Sequence, residues 1–284
     1  MRKIKKVHDA SYAPIADLVT YTPLPSRTLD QIDPFLFLNH HGYQEYPPNN
    51  TGLPFGPHPH RGMETVTFIV EGDIMHKDSA GHQSVIRAGG VQWMTAGKGL
   101  VHAEVSSDEF KKEGGKLEIL QLWINLPAKS KMTEPRYIGL QETDIPKVAM
   151  DEGSATVRVI SGKWGTQKGP VESLTGVSIF TIELRAEGRL TREVAATENV
   201  FFYIVRGAVN VNGTEAKKRQ LVEFENAGTS IQIAAAEESL IIFCHAAPLN
   251  EPVVARGPFV MNTQEEILQA YEDYNAGKFG LWNE

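Results

Sequence analysis

The chain has 284 residues, of which 41% are hydrophobic and 22% charged, ordinary usage for a globular protein of one large or two medium domains. That composition excludes a disordered, collagen-like or low-complexity chain. Lys+Arg 28 against Asp+Glu 35 leaves a net charge of -7, and without a basic footprint no direct nucleic-acid binding is expected.

In chain order, the N-terminus reads MRKIKKVHDA. It is charged but has no apolar run behind it, so it is not read as a secretory signal; Lys3, Lys5 and Lys6 read as a short solvated run. No stretch approaches the roughly 18 apolar residues of a membrane span. A single cysteine, Cys244, excludes an intramolecular disulfide and fits a reducing compartment. The expected location is the cytoplasm, or also the nucleus in a eukaryote. A β-branched and aromatic run at 64–70, closed by Glu71-Gly72, predicts a strand. His76 and His82 flank Lys77-Asp-Ser-Ala-Gly81, a hairpin turn, and read as exposed or turn-stabilising, with a pocket-rim role as the alternative. Further strands are predicted at 117–126, 177–184, 200–205 and 239–245, where Cys244 is a buried small apolar residue. Trp93 and Trp123 read as core, with a pocket-lining role open to either. Short strands separated by 25 Gly and 16 Pro indicate an all-β sandwich or barrel. One helix is expected, near 264–275: Thr263 and Glu266 have capping-box spacing, Ile267, Leu268, Tyr271 and Tyr274 form an apolar stripe, and Gly277-Lys278 is the stop.

Residues 64–72 laid over 199–207 match in apolar pattern and in the closing glycine. This predicts two copies of one β-unit joined in the turn-rich region 138–155. The division expected is an N-terminal domain, 1–138, and a C-terminal domain, 139–284, that carries the terminal helix.

Seven of the nine histidines lie between His40 and His102. His58-Pro-His60 places two imidazoles on one face of an extended chain, and His102-Ala-Glu104 has the same pitch. Gly97-Lys-Gly99 allows a tight turn into the second pair. Facing each other, the two pairs supply three imidazoles and a carboxylate, a set suited to Fe, Cu, Ni, Mn or Zn. Each pair alone reads as readily as a solvated surface pair. Glu64 shares strand parity with His60 and stays a competitor for the carboxylate. His40 and His41 read as structural hydrogen-bonding residues.

The pattern Gly52-x5-His58-x-His60-x3-Glu64, closed by Gly72, resembles the first cupin motif with one extra residue in its last spacing. Gly97-x-Gly99-x2-His102 resembles the second, with Gly97 where proline is usual. More specifically, the chain resembles the pirin family at 33–42 (DPFLFLNHHG), 57–66 (PHPHRGMETV), 92–99 (QWMTAGKG), 120–127 (LQLWINLP), 131–136 (KMTEPR) and 257–262 (GPFVMN). The resemblance covers nearly the whole chain. It implies an all-β bicupin of two stacked jelly-roll barrels. One iron ion per chain, with other divalent transition metals as alternatives, would bind His58, His60, His102 and Glu104 in the first barrel. The second barrel is expected to be metal-free, because the repeat places Glu193 over His58 and Ala195 over His60.

The activity implied is that of a quercetin 2,3-dioxygenase, which opens a flavonol with dioxygen and releases carbon monoxide. Glu104 would take the 3-hydroxyl proton, and Phe55, Met63, Trp93 and Met94 would supply apolar walls. The alternative implied is an iron-binding, redox-sensitive regulatory protein whose partner is a transcription factor or a metabolic enzyme. A monomer is expected, with a flavonol-like small molecule and dioxygen as ligands.

Overall fold

The β-branched and aromatic runs all fold as strands in the computed structural model, which describes residues 1–282. They span Met63–Glu71, Gly115–Asn125, Ser178–Leu184, Asn199–Arg206 and Ser239–Ala246. Cys244 is fully buried, as expected of a small apolar residue, and burial raises its thiol pKa well above the usual value. Among the described residues no helix is long and apolar enough to cross a membrane.

The chain forms two compact units, each containing a four-stranded sheet and all or most of a seven-stranded one. One unit comprises residues 12–20, 35–143 and the C-terminal segment from Leu249. Its larger sheet contains, as neighbours in order, Arg136–Leu140, Val91–Thr95, Met63–Glu71, Gly115–Asn125 and Phe35–Tyr46. Its smaller sheet runs Phe55–His60, Leu100–Val105, Asp73–Asp78, Gln83–Arg87.

The other unit comprises residues 1–11, 21–34 and 144–248. Its larger sheet runs Ile4–Asp9, Gln220–Phe224, Asn199–Arg206, Ser239–Ala246, Ser178–Leu184, Ala155–Ser161, Lys147–Met150. Its smaller sheet runs Arg189–Glu193, Ser230–Ala235, Ala208–Val211, Thr214–Lys217. Inward positions such as Phe180, Ile182, Phe202, Ile204, Ile233 and Phe243 fill its core. The equal sheet counts bear out the repeat, and so do its glycines. Gly72 and Gly207 have φ of 80° and 81°, and a Cβ there would lie 2.7 and 2.3 Å from the carbonyls of Lys116 and Glu238. Only glycine takes that conformation freely.

Both chain ends depart from the linear division at 138/139. Residues 4–9 form a strand that pairs with 220–224, Val7 opposite Val222. Ile4 and Val7 pack on the core of the 144–248 unit, while Lys3 and Lys5 stay outside, paired with Glu225 and Glu223. At the other end, helix Gln264–Asn275 begins with the predicted capping box, Thr263 and Glu266 exchanging both bonds. Its buried residues Ile267 and Ala270 pack with Val101, Phe259 and Phe279, so the helix belongs to the unit that carries His58 and His102. Each terminus goes where its apolar face is buried, and sequence adjacency does not decide it.

Candidate metal centre

The four-stranded sheet aligns the predicted residues by register. His102 stands opposite His58 on one side and Asp78 on the other. Glu104 stands opposite Phe55 and His76, with a bulge between His102 and Glu104 on the 55–60 side. Directly opposed residues share a sheet face, as do i and i+2. His58, His60, His102, Glu104, His76 and Asp78 therefore line one face, and all but the partly buried His58 are buried.

The ligand nitrogens of His58, His60 and His102 lie within 4.8 Å of one another. Their ring centroids are 4.4–4.9 Å apart. His58 Nδ1 is 2.7 Å from the Gly56 carbonyl and His60 Nδ1 is 3.3 Å from the Pro258 carbonyl. A carbonyl only accepts, so both Nδ1 atoms carry a proton, and in the neutral ring Nε2 is the atom left to ligate. His58 Nε2 lies 3.0 Å from His102 Nε2, and His60 Nε2 is buried with no hydrogen-bond partner among the described residues. Burial, and then the neighbouring imidazoles, lower the pKa of His60 to about 3 and that of His102 well below the usual value. An imidazole whose Nδ1–H is anchored on a carbonyl, as in His58 and His60, presents Nε2 to a transition metal when neutral; His102 Nδ1 has no such acceptor among the described residues, and its Nε2 faces His58 Nε2. The residues present therefore fit such an ion.

Glu104 lies on the same face, but its carboxylate is held elsewhere. Thr67 Oγ1 donates to it at 2.9 Å, and the side-chain amides of Gln92 and Gln121 donate as well. Those donors come from one row of the larger sheet. Gln92 opposes Thr67, Thr67 opposes Gln121, and Gln121 opposes Asn39. Three donors complement the negative charge of a buried carboxylate and fix its position. Gln121 Oε1 in turn accepts from Trp123 Nε1 at 3.0 Å.

A cavity of about 240 Å³ opens onto this group. Phe37, Trp123, Phe55, Ile74 and Ile119 form its apolar walls, and His58, His60, Glu104 and Gln121 its polar floor. Phe37 and Trp123 rings lie 4.7 Å apart. Of the walls expected from sequence only Phe55 is in place. Trp93 and Met94 are buried with no part in the lining, Met94 packing against Ala96 and Leu100; Met63 is also buried elsewhere. Trp123 takes the pocket-lining alternative and is a wall.

The competing carboxylate, Glu64, sits apart from the site. It accepts from Thr95 Oγ1 at 2.7 Å and lies three residues from Thr67, on the opposite face of its strand. The parity shared with His60 is broken at Gly62, whose φ is 80°, so His60 and Glu64 end up in different sheets. His82 stabilises its turn through Asp78, as expected. His76 does not fit the expectation of an exposed turn residue: it is fully buried, 3.0 Å from Asp78, stacked on Tyr137 at 4.0 Å and 5.5 Å from His102. Burial pushes the Tyr137 pKa up to about 12, so its hydroxyl, bonded to Ser84, stays protonated. Only the pairing of Asp73–Asp78 with the His102 strand reveals His76, and sequence spacing carries no such signal. His40 and His41 are structural, hydrogen-bonded to Glu118 and Thr20 at 2.9 Å each, and His41 also lines the cavity.

Two sheet-built β-units, one of which gathers three histidines under an apolar cavity, define a bicupin of the metal-binding type. Family models agree with this class: that for pirin matches residues 18–124 and that for the pirin C-terminal cupin domain matches 179–280. The chain belongs to the pirin family. It is 39% identical to a pirin-like protein of Solanum lycopersicum over 89% of this chain and 84% of that one. It is 36% identical to a pirin-like protein of Caulobacter vibrioides over 87% of each. A crystal structure of quercetin 2,3-dioxygenase from Acinetobacter baumannii superposes with a TM-score of 0.92 at 36% identity, covering 99% of both chains.

Proposed function

We propose that this chain is a metal-dependent dioxygenase that opens flavonols, with one iron ion held by His58, His60 and His102. The observation that carries the reading is the convergence of three histidine ring nitrogens at a cavity with aromatic and aliphatic walls. The similarity to the Acinetobacter baumannii protein supports the substrate class. When bound, a divalent metal supplies a positive Lewis-acid centre and access to dioxygen chemistry. The chain's own residues do the rest. Phe37, Trp123, Phe55, Ile74 and Ile119 take up a planar polyphenol and exclude bulk water. Glu104 accepts the proton of the flavonol 3-hydroxyl, and Thr67, Gln92 and Gln121 fix its carboxylate in place. Glu104 is also the fourth ligand of the reading, a role in which its oxygens would have to leave some of these donors. The overall reaction consumes one flavonol and one dioxygen, inserts both oxygen atoms and releases carbon monoxide. The protein acts as a monomer in the reducing cytoplasm.

Flavonol absorbance followed in air with iron-loaded protein tests this. It should fall, and should stop under nitrogen and in His102→Ala. No consumption by fully loaded protein would refute the enzyme and leave the regulatory reading, in which the metal centre serves a protein partner.

A further inference from the structure

The C-terminal segment reaches the metal centre. The strand pair Val254–Arg256 and Phe259–Met261 leads into helix Gln264–Asn275, and the chain passes directly behind the turn that follows His60. Arg61 makes a parallel bridge with Phe259, and Val260 N–H donates to the Arg61 carbonyl at 3.0 Å. Gly62 packs so closely here that a Cβ would lie 1.9 Å from the Val260 carbonyl. Pro258, between the two short strands, gives its carbonyl to His60 Nδ1–H at 3.3 Å and lines the cavity.

A buried ion pair closes this contact. Arg61 is 4% exposed; its Nη1 donates to Asp273 Oδ2 at 2.8 Å, its Nε donates to the Lys98 carbonyl at 2.7 Å, and its guanidinium lies 4.6 Å from the Phe279 ring centroid. Arg61 is the residue after one histidine of the centre, and Lys98 lies in the turn that leads to another. Asp273 sits near the end of the helix. The ion pair therefore joins both turns that carry histidines to the segment that supplies the Pro258 carbonyl.

We infer that Arg61 and Asp273 are positioning residues for the metal centre, latching the C-terminal segment so that the Pro258 carbonyl fixes the tautomer and aim of His60. Without the latch, His60 loses the acceptor that keeps its proton on Nδ1, and its Nε2 is no longer held toward His58 and His102. A hydrogen bond to the far nitrogen of a ligating histidine sets ring orientation and basicity, and its loss typically costs about 10–100-fold in metal affinity. The inference rests on the reading that the three histidines bind a metal.

The test uses full-length protein loaded with cobalt(II), reading its visible spectrum and its release to an excess of chelator. Asp273→Asn should release cobalt about tenfold faster with an altered ligand-field band, and Asp273→Glu should recover part of the loss. Arg61→Lys, which keeps the charge but loses the Lys98 contact, serves if Asp273→Asn does not fold, and should change both readouts in the same direction. Ile204→Val, a core truncation in the other unit, lowers stability and should change neither. A wild-type release rate and spectrum in folded Asp273→Asn and Arg61→Lys would overturn the latch while leaving the centre intact. Failure of the wild-type chain to bind cobalt at all would overturn the three-histidine reading, and the inference with it.

Discussion

Glu104 and Glu64 are both buried carboxylates close in sequence to histidines of the centre, yet they have different surroundings. Glu104 shares a face with His102 and borders the cavity, whereas Glu64 points to the opposite side of the other sheet and accepts from Thr95. Glu104→Gln should therefore lower flavonol turnover by about 10²–10⁴-fold, the usual range for a general base, measured at matched iron content. Glu64→Gln should leave metal content unchanged; a larger metal loss in Glu64→Gln than in Glu104→Gln would reverse the assignment. The two clamps were legible in sequence because an i, i+2 spacing fixes a shared face whatever the fold. The choice between the carboxylates was not, since parity counted through Arg61-Gly62 ignores the left-handed turn at which the chain changes sheets. His76 and the Gln92–Thr67–Gln121 row were hidden for a related reason: both depend on cross-strand register, which is set by long-range pairing.

At the scale of elements, strands and helix followed their local signals closely, and the helix occupies the expected 264–275 because its capping box and apolar stripe agree. What these elements pack against was less legible. Lys131, in the KMTEPR segment, is an example. It is 1% exposed, and its ammonium donates to the carbonyls of Gly62 and Val260 and to Asn125 Oδ1 at 2.7–3.0 Å. One side chain thus pins the turn after His60 to the Phe259–Met261 strand. Lys131→Met removes the donor from three buried acceptors and should cost about 3 kcal/mol in chemical denaturation. Burial lowers the Lys131 pKa from 10.5 to about 8. Between those values the unfolded chain binds the proton that the folded chain sheds, so this group makes stability rise with pH across that window. Comparing the pH dependence of unfolding in wild type and Lys131→Met should show that slope only in the wild type. An identical slope in both would mean that the lysine keeps its ordinary pKa.

For the whole molecule, the repeat gives two units of the same strand plan with different interiors. In the first, one inward face presents His58, His60, His102 and Glu104. In the second, the positions aligned with His58 and His60 are Glu193 and Ala195, both exposed to solvent. Its interior is packed with Phe180, Ile182, Phe202 and Phe243, and His245 is already paired with Glu198. The other histidine of this unit, His8, is paired with Glu223 at 2.9 Å, and a carboxylate on the outer surface with two imidazoles each paired to a glutamate does not replace three converging nitrogens. Metal bound per chain should therefore be close to one, and close to zero in His58→Ala. A ligand that binds only the native state stabilises it by RT ln(1 + [L]/Kd), about 2.7 kcal/mol at a hundredfold excess over Kd. Raising free metal should shift the unfolding of the wild-type chain accordingly and leave His58→Ala unmoved. The apolar cores are built from strands and do not include the three histidines, so His58→Ala should keep the far-ultraviolet dichroism of a folded β-protein. A stoichiometry near two that persisted in His58→Ala would place a second site in the 144–248 unit and overturn the division of labour between the repeats.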